Sequence, residues 1–301
     1  MTATATPTPS PAPPPSTPTT AATAGRAATK PGARDWAAIR LVMRKDLTAV
    51  RRSKAIVLPM ILVPTVLLVL LPVALGLFAR SAPTDPVANA LSSPLVKSLV
   101  KPILDLPERE QIIVLVLGYL LSPLLLVIPL MVSAVLAADA FAGEKERRTL
   151  ESLLYMPISD RDLFLAKVLG AFVPALAITW VGAFVYALLT NLIGWPVMHR
   201  IFVPFTQWLL VMGWVAPAVA MLSLGLLVIV SSRARTTQEA NQLGGAVILP
   251  LIFLIAGQAS ALMLAPPLAV IVVGFIVWGL ALLLLMINGR RFTRDRLATS
   301  S

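Results

Sequence analysis

Cysteine is absent from this 301-residue chain, and histidine occurs once, at His199. These absences exclude a disulfide framework, a thiolate metal site, a cysteine nucleophile and a multi-histidine metal cluster. Charge is scarce as well. Only 13% of the residues are Asp, Glu, Lys or Arg, whereas an ordinary soluble domain carries about 25%. No glycine is followed by lysine, so the GxxxxGK loop that cradles nucleotide phosphates cannot be present. If ATP powers this protein, another chain has to bind it. What the chain does have is apolar surface: 57% hydrophobic residues and a mean hydropathy of +0.86. A soluble fold of this size cannot hide that much behind so few charges. The composition points to a polytopic membrane protein.

The chain divides by composition. Residues 1–34 are nearly all Thr, Ala, Pro and Ser, with eight prolines, and read as a disordered tail with no core to bury. No apolar run follows a basic start there, so a secretory signal is not expected. Residues 35–54 form a basic amphipathic segment in which Trp36, Ile39, Met43, Leu47 and Val50 recur at helical spacing, with Arg40, Arg44, Lys45, Arg51 and Arg52 on much of the rest. Such a helix lies in the headgroup layer with its cations on anionic lipid; the other reading is a soluble helix packed on a partner. Residues 55–290 hold six apolar stretches, near 55–78, 112–138, 163–190, 201–230, 243–264 and 266–288. Each is long enough to cross a hydrocarbon layer of about 30 Å. Their prolines predict kinks rather than breaks, because neighbouring helices can satisfy the freed carbonyls. Residues 291–301 are a basic tail. The expected fold is therefore all-α: six transmembrane helices plus an N-terminal interfacial helix.

Charge placement sets the orientation. Nineteen Lys and Arg fall on the side holding both termini and the loops after stretches two and four, against five on the other side. By the positive-inside rule both termini are cytoplasmic, in a multi-pass protein of the cell membrane. The net charge of +11 is thereby explained by topology and anionic lipid rather than by nucleic acid.

All fourteen acidic residues lie outside the six stretches or at their ends. Ion-coupled carriers usually need intramembrane ionisable groups, which argues against a secondary transporter. Gln207 and Gln258 are candidate polar groups of a substrate pathway. The plainer reading is interhelical hydrogen bonding, worth on average about 0.6 kcal/mol in membranes. No catalytic, cofactor-binding or metal-binding residue is expected in this chain.

The most informative segment is ADAFAGEKERRTLESLLYMPISDRDLFLAK, residues 138–167. Glu144 and Arg148, and Arg147 and Glu151, are spaced i,i+4, as suits a short charged helix. Leu150, Leu153 and Leu154 form an apolar ridge on it. Pro157 stops that helix, and Ser159 with Asp162 makes a capping-box-like start for the third stretch. A short helix with one charged and one leucine face, lying across the cytoplasmic mouth, is a docking surface for a cytoplasmic partner.

Here the chain resembles a known family. The run Glu144-Lys145-Glu146-Arg147-Arg148-Thr149-Leu150-Glu151, then Leu153-Leu154 and Pro157-Ile158-Ser159, is similar to the signature of the ABC-2 type permeases, as is Lys167 at the start of the third stretch. The basic N-terminal helix, Leu58-Pro59 and the ending Asn288-Gly289-Arg290-Arg291-Phe292 extend the likeness over roughly residues 36–297. Arg148 stands where that family usually has glycine. The short Ala265-Pro266-Pro267 connection leaves little room for the re-entrant outer helices many members insert. The resemblance implies a transmembrane subunit of an ATP-binding-cassette exporter working by alternating access. It implies a separate ATPase partner that binds ATP and Mg, and a second permease subunit, identical or related. It makes Glu144, Glu146, Arg148, Thr149, Glu151 and Leu154 the ATPase-coupling residues. The alternative is a non-transporting membrane scaffold that recruits a cytoplasmic partner through the same loop.

Overall fold

The computed structural model describes residues 35–81, 101–143, 158–234 and 264–291, together with 236, 238–240, 242–246, 249, 252 and 261–262. Among these residues the regular structure is all helical. We label the elements α1 (Trp36–Arg52), α2 (Ile56–Ser81), α3 (Lys101–Leu104), α4 (Glu108–Gly143), α5 (Asp160–Met198), α6 (Thr206–Ser231) and α7 (Pro267–Arg290). Five of them, α2 and α4 to α7, are long and apolar enough to cross a membrane, and they match the first four and the sixth of the expected stretches. Most of the fifth stretch, 243–264, lies outside the described residues.

Contacts along the helices fix their relative directions. Leu68 lies against Gly182 and Ile193 against Gly76, so α2 and α5 run parallel. The Tyr186 hydroxyl reaches the Leu117 carbonyl while Lys167 reaches the Ala140 carbonyl, so α5 runs antiparallel to α4. Tyr119 stacks on Phe205 and Ser223 meets Leu130, which makes α6 parallel to α4. Trp214 meets Ile271 and Asn288 meets Gly225, so α7 also runs parallel to α6. The centre of the bundle is α4 and α6, with α5 bridging to α1 and α2 on one flank and α7 on the other.

Helix contacts here are cemented by side-chain donors reaching backbone carbonyls. Tyr186 donates to Leu117 O, Ser223 to Leu130 O (2.9 Å), Trp180 to Met212 O (3.1 Å) and Asn288 to Gly225 O (2.8 Å). In hydrocarbon no water competes for these groups, so each otherwise carries a desolvation cost. Close approach is bought with glycine at two places. A Cβ on Gly182 would sit 2.5 Å from Leu68, and one on Gly274 would sit 2.2 Å from Trp214.

The expected kinks take a specific form. Widened turns of π geometry occupy Val66–Leu70, Val114–Leu121 and Val211–Val215, and each ends two residues before a proline: Pro72, Pro123 and Pro217. A proline ring clashes with the carbonyl four residues back and offers no N–H. Shifting the preceding turn to i→i+5 bonding moves that carbonyl aside. In α6 the Ala216 N–H bonds Val211 O in this register, so the next donor would be Pro217, which has none. The Met212 carbonyl thereby freed is the one that Trp180 takes.

Three expectations are corrected in detail. The buried face of α1 is Ala38, Ile39, Val42 and Val50, while Trp36 is 50% exposed. Ala38, Ile39 and Val42 pack with Ile158, Leu163 and Ala166 at the start of α5, so protein covers much of the face assigned to lipid. Ile103, expected on a surface-lying helix with Leu95 and Leu99, is buried with Ile113, Leu117 and Ile193; Leu95 and Leu99 lie outside the described residues. Trp208, expected with Trp195 in an outer aromatic belt, is turned into the main core, whereas Trp195 is exposed.

Candidate functional site

The residues assigned to ATPase coupling, Glu144, Glu146, Arg148, Thr149, Glu151 and Leu154, lie outside the described residues, as does Gln258. Gln207 is half-buried in the first turn of α6, so no joint pathway with Gln258 is established. Both roots of the coupling loop are described, and they meet in one packed unit.

On the α4 side, the helix widens into a π turn over Asp139–Gly143, and Ala137, Ala138, Asp139, Ala142 and Gly143 are all buried. On the α5 side, Ser159 caps the helix, its hydroxyl accepting from the Asp162 N–H at 3.1 Å. The capping pair read from the sequence is thus present. Asp160 and Asp162 occupy the first turn, where the positive end of the helix dipole favours carboxylates.

Lys167 joins the two roots. It is only 2% exposed, and its Nζ donates to the Ala140 carbonyl at 2.7 Å. It also lies 5.7 Å from the centre of the Phe141 ring, which itself packs on Phe164. A cation on the last carbonyls of a helix is favourable to the dipole, and the aromatic face adds a cation–π term. The sequence marked Lys167 as a lone cation inside an apolar stretch. Its partner carbonyl twenty-seven residues upstream had no sequence signal. The α1 residues Ile39 and Val42 close the same unit from the other side through Ile158 and Leu163. A force applied to the loop therefore reaches α1, α4 and α5 together.

The opposite end of the bundle is tied differently. Arg200 and Glu110 form an ion pair at 2.7 Å, and Arg109 donates to the Arg80 carbonyl. The Gln111 amide donates to Leu104 O and Leu106 O (3.2 and 2.7 Å). Asn191 accepts from the N–H groups of Phe202 and Val203 (2.9 and 3.3 Å) and donates to Ala187 O (2.7 Å) and Val203 O, which fixes the α5–α6 loop. His199, exposed and with a left-handed φ of 48°, ends α5.

Five membrane-length helices, held together through buried backbone carbonyls, define a multi-pass helical membrane protein. Residues 40–288 match the family described as ABC-2 family transporter protein. The chain belongs to that family, and is a transmembrane component of an ABC transport system. No curated protein matches the chain.

Proposed function

We propose that this chain is the permease subunit of an ATP-binding-cassette exporter that works by alternating access. A separate ATPase docks on the loop between α4 and α5 through Glu144, Glu146, Arg148, Thr149, Glu151 and Leu154. That partner binds ATP and Mg, and a second permease subunit completes the pathway. The observation that carries the reading is the root of this loop. Lys167 locks the end of α4 to the start of α5, within the stretch that matches the family.

Six crossings are part of the proposal. Because α6 and α7 run the same way, the chain between Ser231 and Pro267 has to return to the side on which α6 began. Residues 242–246, 261–262 and 264 on that return are helical. With the positive-inside bias, the α1 end of the bundle and both termini then face the cytoplasm, and α1 sits at the membrane interface.

The test is purification of the C-terminally tagged protein from native membranes in mild detergent, with mass spectrometry of what accompanies it. A stoichiometric ATPase, lost with Glu144→Ala and Leu154→Asp, is the expected result. No ATPase at any stoichiometry, with the protein folded and abundant, would overturn the exporter reading in favour of a scaffold. Lys167→Met separates docking from transmission: it should keep the ATPase bound while uncoupling its turnover from the permease.

A further inference from the structure

Where α1 passes α5 there is a groove of about 560 Å³, within the size range of small-molecule sites. Arg40, Leu41, Arg44 and Leu47 line it from α1, and Val173 and Pro174 from α5, with Gly170 where the α1 backbone passes closest. The wall is apolar apart from the two arginines, which are one turn apart on the same helix face. Leu41, between them, is 58% exposed.

The groove is continuous with the outward-facing stripe of α5. Exposed Val173 is followed along that helix by exposed Trp180, Phe184, Leu188 and Leu192, a face that lies against acyl chains in a membrane-spanning helix. An occupant can therefore slide in from the bilayer with its chain along Leu41, Leu47 and Val173. Its head would arrive at Arg40 and Arg44, which present ten N–H donors in forked geometry suited to phosphate oxygens. We propose that this groove is a binding site for one anionic phospholipid of the cytoplasmic leaflet, its phosphate on Arg40 and Arg44 and one acyl chain along the α5 wall. The leaflet assignment rests on the orientation proposed above; the site itself does not depend on an ATPase partner. Such a lipid would act as a wedge between α1 and α5, filling the gap left beside the Ile39–Ala166 contact.

The test uses the full-length chain in uncharged detergent, titrated with palmitoyl-oleoyl-phosphatidylglycerol and read by native mass spectrometry as the fraction carrying one lipid. The double variant Arg40→Gln/Arg44→Gln removes two exposed cations and should weaken that binding about thirtyfold, by the usual contribution of two basic groups at a lipid surface. Arg51→Gln/Arg52→Gln removes the same charge outside the groove and should leave the singly bound species nearly unchanged. Gly170→Leu, which fills the groove floor, should also abolish it. Equal weakening by the two double variants would overturn the proposal, leaving only diffuse charge attraction. So would equal binding of phosphatidylcholine, or full displacement of the lipid by millimolar inorganic phosphate, because the chain would then contribute nothing. Unchanged lipid binding in Arg40→Gln/Arg44→Gln, combined with loss of a co-purifying protein, would assign the groove to a protein partner instead. Because the lipid assay needs no ATPase, its failure is distinguishable from failure of the exporter reading.

Discussion

Helices α6 and α7 are neighbours, parallel and both strongly apolar, yet 72% of the α6 membrane window is buried and only 17% of that of α7. The more hydrophobic of the two is the one on the outside. In water this would be inverted, but lipid tails are as apolar as leucine and give no reason to hide it. What selects α6 for the centre is its small and polar residues. Ala216, Ala218, Ala220 and Ser223 are fully buried, and Gly225 lies against Leu284 and the Ala281 carbonyl. They let neighbouring backbones approach and offer carbonyls to partners. Helix α7 presents Leu268, Val272, Phe275, Ile276, Leu280 and Leu283 outward, and meets α6 mainly through Gly274, Trp278 and Asn288.

The contrast can be broken or sharpened by substitutions of decreasing effect, each read as the unfolding midpoint in a detergent or lipid titration. Gly274→Leu should be the most damaging, because its Cβ would start 2.2 Å from the Trp214 ring and overpacking of this kind costs about 3 kcal/mol. A stability equal to that of the parent would show that α7 is not seated on α6 as described. Leu224→Ala, at a fully buried α6 position, should cost about 2 kcal/mol. The figure counts only the cavity left behind, since no transfer from water is involved. Asn288→Leu removes the donor to Gly225 O and should cost about 0.6 kcal/mol, the average for such bonds in membranes. Leu280→Ala, on the exposed α7 face, should fall within about 0.5 kcal/mol of the parent. A loss there as large as for Leu224→Ala would mean that this face is covered by another subunit.

This contrast also explains which parts of the fold were legible in the sequence. Length and apolarity located the five described spans, because crossing a bilayer demands a long run whichever way its faces point. The faces themselves were not legible. A helix apolar all round has no amphipathic period, and the informative residues are alanine, glycine and serine, which hydropathy hardly weighs. The same blindness displaced the face of α1: Ala38 and Val42 are buried because Ala166 and Gly170 let α5 come close, while the larger Trp36 stays out. At the candidate site, the Ser159–Asp162 cap and the lone Lys167 were readable from local pattern. The Lys167–Ala140 link was not, since nothing in a carbonyl's own residue announces a partner twenty-seven positions away.

The widened turns before Pro72, Pro123 and Pro217 have a consequence for how these helices tolerate change. Each holds one residue more than an α-helical turn, so everything beyond it is rotated by about 100° relative to an unbroken helix. Proline and extra residue are thus a matched pair. Deleting one residue from Val66–Leu70 alone would turn the rest of α2 away from Ile193 and Leu117, while replacing Pro72 alone would relieve the need for the wide turn without removing it. Only the two changes together yield a regular helix, and that helix presents its outer half in a new direction. Single-residue deletions and proline substitutions at these three places should therefore behave as interdependent alleles, each more harmful or more forgiving according to the state of the other.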